Sequence, residues 1–120
     1  MSDNKIVSVP RWIANFKALK TLNLKMNRIT QLPEEIGHLV KLETLVIGGN
    51  LLSTLPKSLS KLKNLREFDA SHNQISTFPV ALSNLNHLDS VDLSANKIKC
   101  IPDGVEELQL TILSLNQVSK

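Results

Sequence analysis

Aromatic residues and cysteine are scarce in this chain of 120 residues, which has no tyrosine, one tryptophan, three phenylalanines and one cysteine. With so few aromatic side chains, the core must be aliphatic. The single cysteine, Cys100, excludes an internal disulfide and predicts a reducing, cytoplasmic location.

Long apolar runs are also missing. No stretch approaches the roughly 20 residues that a membrane helix requires, and Met1 is not followed by the pattern of a secretory signal. The net charge of +3 is too small to indicate a nucleic-acid-binding protein. We therefore expect neither nucleic-acid binding nor membrane insertion. Because 120 residues are too few for two separate cores, we also expect one globular domain.

Proline and asparagine recur with a fixed period of 23 residues. All five prolines follow it, at Pro10, Pro33, Pro56, Pro79 and Pro102, and so do Asn27, Asn50, Asn73 and Asn96. The chain therefore divides into a partial repeat at 4–18, full repeats at 19–41, 42–64, 65–87 and 88–109, and a truncated repeat at 110–120. Each full repeat reads L-x-x-L-x-L-x-x-N-x-I-x-x-L-P-x-x-I-x-x-L-x-x with conservative changes, and its first leucine is position 1.

Positions 1, 4, 6, 11, 14, 18 and 21 are apolar in all four full repeats, which indicates that they face a common core. Alternation around positions 4 and 6 predicts a short strand, and the spacing after each proline predicts a short helical or 3₁₀ turn. Ala70 is the smallest inward residue, and a small void is expected there unless Phe68 or Phe78 fills it.

This pattern resembles the leucine-rich repeat family, and its 23-residue L-P-x-x-I form is similar to the short intracellular subclass that includes Ras-suppressor-like proteins. The resemblance implies an α/β solenoid: an arc with a parallel β-sheet on the concave side and short 3₁₀ or helical turns on the convex side. It also implies a role as a scaffold or adaptor, which some relatives fulfil in small-GTPase signalling.

The asparagine at position 9 has a structural explanation. Where the chain turns inward after the strand, backbone groups lack a strand partner, and an amide side chain can both donate and accept hydrogen bonds. We therefore predict a structural ladder rather than a ligand site, formed by Asn27, Asn50, Asn73 and Asn96.

No catalytic, cofactor-binding or metal-binding residues are expected. The three histidines lack metal-ligand spacing, Cys100 is interpreted as a lone thiol, and Gly48 and Gly49 lie inside a repeat and do not form a phosphate loop. A shallow solenoid also offers no water-poor pocket. The chain is therefore predicted not to be an enzyme.

Strand positions 3, 5, 7 and 8 are predicted to face outward along the concave side and to bind a protein partner. We call this surface the concave strip: Thr21, Asn23, Lys25, Met26, Thr44, Val46, Glu67, Asp69, Ser71, His72, Ser90, Asp92 and Ser94, with Gly48, Gly49 and Ala95 between them. It is basic at its N-terminal end, flat in the middle and acidic at Glu67, Asp69 and Asp92. This asymmetry would orient a charged partner, although ordinary solvating charges are the alternative interpretation.

A second basic group lies mostly on the predicted outer turns: Lys57, Lys61, Lys63 and Arg66. Nucleic acid or anionic lipid is one interpretation. A solvated helical face is the preferred one, because Phe68 and Phe78 are inward and no exposed aromatic residues interleave with this group.

The two ends depart from the repeat. Residues 4–18 match the second half of a repeat, with Asn4, Ile6, Val9, Pro10, Ile13 and Phe16 in register. Trp12 is predicted to cover the open core, with a ligand contact as the alternative interpretation. At the other end, Val118 replaces the expected asparagine and no polar capping repeat follows. We therefore predict self-association, as a homodimer, through residues 110–118. The alternative function is a truncated or isoform fragment with a structural role only.

Overall fold

The computed structural model describes residues 5–85, 87–98 and 113–114. Five strands form one parallel sheet in sequence order: β1 (Thr21–Asn23), β2 (Thr44–Val46), β3 (Glu67–Asp69), β4 (Ser90–Asp92) and β5 (Leu113–Ser114). Four 3₁₀ helices alternate with the first strands: η1 (Arg11–Asn15), η2 (Glu34–His38), η3 (Lys57–Lys61) and η4 (Val80–Asn84). This architecture confirms the predicted solenoid.

The register of the sheet follows the sequence period. Thr21 pairs with Thr44, Thr44 with Glu67, and Glu67 with Ser90, so equivalent positions of successive repeats lie side by side. Between β4 and β5 the displacement is 22 residues, from Val91 to Leu113, which agrees with a fourth repeat one residue shorter than the others.

Each 3₁₀ helix begins directly after a proline. The φ values of Pro10, Pro33, Pro56 and Pro79 lie between −69° and −77°, where the pyrrolidine ring holds them. The proline carbonyl accepts the first hydrogen bond of the turn, as from the Ile36 N–H to the Pro33 oxygen at 3.1 Å. The turn closes after five residues, which is the short length typical of 3₁₀ geometry.

The core lies between the sheet and these helices. Every inward position from Leu19 to Ile98 is buried except Leu19 and Leu55, which are partly buried against the same cluster. Ala70 is fully buried in one core with Phe68 and Phe78. The remaining inward positions, Ile101, Val105 and Leu108, lie outside the described residues.

The four asparagines connect successive repeats. Asn50 Oδ1 accepts from the Ile29 N–H at 3.0 Å, while its Nδ2 donates to the carbonyls of Leu24 and Ile47 at 3.0 and 2.9 Å. Asn73 and Asn96 repeat this pattern one and two repeats further on. Asn27 makes the corresponding bonds to the Ile6 N–H and the Leu24 carbonyl. The ladder therefore holds the ends of the strands at a fixed spacing.

The N-terminal partial repeat differs from the prediction for its aromatic residues. Val9 and Ile13 are buried in register, but Phe16 is 50% exposed and Trp12 is 58% exposed. The two rings meet edge to face with centroids 5.8 Å apart. In the inner repeats, Phe16's position is held by Leu39, Leu62 and Leu85, which are buried between two neighbouring repeats. Among the described residues no repeat precedes η1, so one side of both rings is uncovered.

Candidate functional site

The concave strip is built from the strand positions that alternate with the core. Leu22, Leu45, Phe68 and Val91 point inward at the centres of β1 to β4, so the flanking residues point outward. The register sets Asn23, Val46, Asp69 and Asp92 in one row across the sheet. The strip is therefore a continuous surface with rows that the backbone fixes.

Exposure varies among the strip residues. Seven are exposed: Thr21, Asn23, Lys25, Met26, Glu67, His72 and Ser90. Five are half-buried: Thr44, Val46, Asp69, Asp92 and Ser94. Ser71 is the exception, because only 7% of it is exposed.

Ser71 supports Asp69 instead of presenting its own hydroxyl. The Asp69 Oδ1 atom accepts from the Ser71 N–H at 2.9 Å and from the Ser71 hydroxyl at 2.7 Å. Asp92 and Ser94 repeat this arrangement at 3.0 and 2.6 Å. These turns hold two carboxylates in neighbouring strands in one orientation. The shared D-x-S spacing could have shown this pairing in the sequence.

Within the described residues, no ion pair neutralises the acidic end of the strip. Glu67 and Asp69 lie on β3, and Asp92 is the register partner of Asp69 on β4. The two ion pairs found within the described part of the chain, Arg11 with Glu35 and Arg66 with Asp89, include none of these carboxylates. The acidic end therefore presents a negative field to a partner.

The middle of the strip is shaped by Gly48 and Gly49. A Cβ atom on Gly49 would lie 2.5 Å from the Met26 sulfur, so Met26 lies across this glycine. A Cβ atom on Gly48 would lie 3.1 Å from the Ser71 Oγ and 3.2 Å from the Asp69 Oδ1. The glycines thus leave room for neighbouring side chains, and the exposed Met26 forms an apolar spot between the basic and acidic ends.

Position 8 has a left-handed backbone in every described repeat, which the sequence interpretation missed. Its φ is +60° at Met26, +71° at Gly49, +54° at His72 and +55° at Ala95. The N–H groups of Met26, Gly49 and His72 still donate to position 7 of the next repeat. This conformation therefore turns the chain after the last backbone hydrogen bond between neighbouring strand segments, and it directs the following asparagine inward.

Replacing Ala95 with glycine is expected to stabilise the protein. Glycine adopts this φ without the Cβ clash, so the free energy of unfolding should rise by about 0.5–1 kcal/mol despite the added freedom of the unfolded chain. Urea denaturation would measure the change. As a control, Ala81→Gly in η4, where no positive φ occurs, should lower stability by a similar amount. If Ala95→Gly lowered the free energy of unfolding as much as Ala81→Gly does, the left-handed backbone at Ala95 would not be the cause of strain.

Other chemical sites were sought across residues 5–85, 87–98 and 113–114. No group of three or more His, Cys, Asp or Glu side chains there could hold a metal ion, and His38, His72 and His87 are all exposed. No helix in this part of the chain is long and apolar enough to cross a membrane. Cys100 lies outside the described residues.

A groove of about 900 Å³ opens on the convex side, away from the concave strip. It runs across the segments that lead into η1, η2 and η3, and residues of both charge signs line it, among them Arg11, Glu34, Glu35 and Lys57. Arg11 and Glu35 approach to 4.0 Å, and the Arg11 side chain is largely exposed. The repeat pattern did not indicate this groove.

Comparison with known proteins identifies the fold family. A family described as a leucine-rich repeat region matches residues 8–109. No curated protein matches the sequence significantly. Among solved structures, an internalin (InlF) from Listeria monocytogenes is 30% identical with a TM-score of 0.83, over 97% of this chain and 34% of that chain.

Two further structures are similar. A leucine-rich repeat protein of Leptospira interrogans is 33% identical with a TM-score of 0.67, over 97% of this chain and 36% of that one. The leucine-rich repeat ectodomain of the Arabidopsis thaliana receptor kinase GASSHO1/SCHENGEN3, solved in complex with CASPARIAN STRIP INTEGRITY FACTOR 2, is 30% identical with a TM-score of 0.77. That match covers 93% of this chain and 14% of that chain.

These matches, together with the parallel sheet and the asparagine ladder, define a repeat solenoid. The chain belongs to the leucine-rich repeat family. It spans about a third of the length of the Leptospira and Listeria proteins and 14% of the length of the receptor ectodomain.

Proposed function

We propose that this protein is a non-catalytic protein–protein interaction module, a scaffold or adaptor, that binds a protein partner on the concave strip. The main support is the strip itself, in which a parallel sheet places side chains of differing charge in fixed rows. Pre-ordered side chains lose little entropy on binding, which favours recognition.

The acidic end indicates the chemistry of the partner. Glu67, Asp69 and Asp92 are close together, and Asp69 and Asp92 are held by backbone and hydroxyl donors. A basic region of the partner would complement them and speed its association. The GASSHO1/SCHENGEN3 ectodomain, a relative in fold, was solved bound to another molecule, which supports binding as the function of this module.

Removing the charge of Asp69 and Asp92 is expected to weaken partner binding. The variant Asp69→Asn with Asp92→Asn keeps an Oδ1 acceptor for Ser71 and Ser94 but loses two negative charges. Recovery of the partner that wild type captures from cell extract should fall severalfold. Glu34→Gln with Glu35→Gln on η2 is the matched control and should not change recovery. Equal recovery with both double variants would exclude the concave strip as the binding surface.

We propose a cytoplasmic location, because the one cysteine of the chain argues against an oxidising compartment. We also propose membership of the short intracellular subclass, because the sequence from Asn86 to Gln109 resembles leucine-rich repeat-containing protein fifty-seven. Self-association as a homodimer through residues 110–118 remains a proposal, since nearly all of that segment lies outside the described residues.

A further inference from the structure

The structure divides the basic group that the sequence places on the outer turns. Lys57 lines the convex groove, and Arg66 forms an ion pair at 3.9 Å. Lys61 and Lys63 instead lie in the turn 61–64, which leads from η3 toward β3. They therefore belong to a different surface from the other two residues.

This surface is formed by the turns that lead from the 3₁₀ helices into the strands. The turns at 15–18, 38–41 and 61–64 each begin with the last residue of a 3₁₀ helix, and none of them contains an acidic residue. All their lysines are exposed, and so is one valine. We call these five residues the turn rim: Lys17, Val40, Lys41, Lys61 and Lys63.

A charge-balanced row separates the turn rim from the concave strip. The Glu43 N–H donates to the Lys20 carbonyl at 2.7 Å, and the Arg66 N–H donates to the Glu43 carbonyl at 2.8 Å. Asp89 follows, with its N–H 2.7 Å from the Arg66 carbonyl. The signs alternate along this row, so its charges compensate one another. Neither ion pair within the described part of the chain includes a rim lysine, so the rim keeps an excess of positive charge.

Hydrogen bonds hold the turns of the rim together. The Asn64 Nδ2 donates to the Val40 carbonyl of the preceding turn at 2.9 Å. Within the turns, the Val40 N–H donates to the His38 carbonyl and the Lys63 N–H to the Lys61 carbonyl, both at 2.9 Å. Successive strands lie about 4.8 Å apart, so the three turns leading into them span roughly 10 Å. This span is close to the screening length of about 10 Å at 0.1 M salt, so the fields of the lysines add.

Val40 gives the rim an apolar centre. It occupies the repeat position of Lys17 and Lys63, and it is 49% exposed. The rim is a line of turns and no part of the convex groove, whose lining includes none of its residues. A flat, negatively charged surface can therefore meet all four ammonium groups at once. Lysines that flank an apolar side chain are typical of surfaces that bind anionic membranes.

We propose that the turn rim is a membrane-docking surface that binds the anionic headgroups of a lipid bilayer. The four lysines contact the headgroups, and Val40 reaches the boundary between headgroups and acyl chains. The protein lies on the bilayer and does not span it. The concave strip uses other repeat positions, so docking leaves it accessible, and the test below does not depend on capture of a protein partner.

Vesicle co-sedimentation tests the turn rim. The probe is large unilamellar vesicles of phosphatidylcholine and phosphatidylserine in a two-to-one ratio. The full chain should bind them, should bind pure phosphatidylcholine vesicles much less, and should dissociate as salt is raised. Lys41→Gln with Lys63→Gln is expected to lower the partition coefficient at least tenfold. Val40→Ser is expected to lower it at least threefold.

Matched controls lie at the other end of the strands. Arg28→Gln with Lys97→Gln removes the same charge from two exposed residues at repeat position 10 and should leave binding within threefold of wild type. Leu51→Ser at that position should leave it unchanged. Equal losses with both charge pairs, or no preference for phosphatidylserine, would overturn the proposal. Binding of single-stranded oligothymidine or polyglutamate through the rim lysines, without binding of the mixed vesicles, would also overturn it.

Discussion

Asn73→Leu is expected to lower the free energy of unfolding by roughly 3–5 kcal/mol, because several buried backbone groups lose their partner at once. The Asn73 amide accepts from the Leu52 N–H at 3.0 Å and donates to the Ile47 and Ala70 carbonyls at 3.1 and 3.0 Å. These groups belong to two successive repeats, so the loss should separate neighbours that stabilise each other. Urea denaturation followed by circular dichroism would measure the change.

Gln74→Leu is the matched control for this experiment. It replaces the adjacent amide side chain, which is exposed, while the Gln74 backbone N–H keeps its bond to the Leu52 carbonyl. The stability of this variant should stay within about 0.5 kcal/mol of wild type. An unchanged denaturation midpoint for Asn73→Leu would remove the structural role assigned to the ladder.

Gly37→Ala should be the second large effect, with a loss of about 1–3 kcal/mol. A Cβ atom on Gly37 would stand 2.6 Å from the carbonyl oxygen and 2.7 Å from the Cβ of Ser58, at the contact of η2 with η3. The carbonyl oxygen belongs to the backbone and the Cβ is bonded directly to it. Neither atom can move away by a side-chain rotation, so the two helices would have to move apart. Thermal denaturation would detect the loss.

Ser60→Ala is the control for the Gly37 substitution. Ser60 occupies the same repeat position on η3, where a side chain is already accommodated. Its replacement should change stability by less than about 0.5 kcal/mol. If Gly37→Ala were equally harmless, the close approach of η2 and η3 would not limit the residue at this position.

The periodic residues made most of the fold predictable. Inward leucines and isoleucines repeat at seven fixed positions, the prolines begin each 3₁₀ helix, and the register of β1 to β4 follows the 23-residue period. Prediction was weaker where burial depends on a neighbouring repeat. Phe16 has the correct spacing for the core, yet it is half exposed because no described repeat covers its outer side.

The concave strip was predictable as a position in the repeat but not in its details. The alternation of strand side chains places Glu67, Asp69 and Asp92 on the outer face. The burial of Ser71 next to Asp69 depends on a turn and on the space left by Gly48 in the neighbouring repeat. Contacts of this kind involve side chains of two repeats, so the sequence of one repeat does not predict them.

The sequence by itself determined the architecture, because a one-dimensional repeat of apolar, proline and asparagine positions has one stacking solution in which each repeat buries its neighbour. Only the tertiary structure decided that Trp12 and Phe16 are exposed, that the backbone at position 8 is left-handed, and that a Cβ atom on Gly37 would stand very close to Ser58. These properties arise from distances between repeats, and those distances exist only after the repeats have stacked.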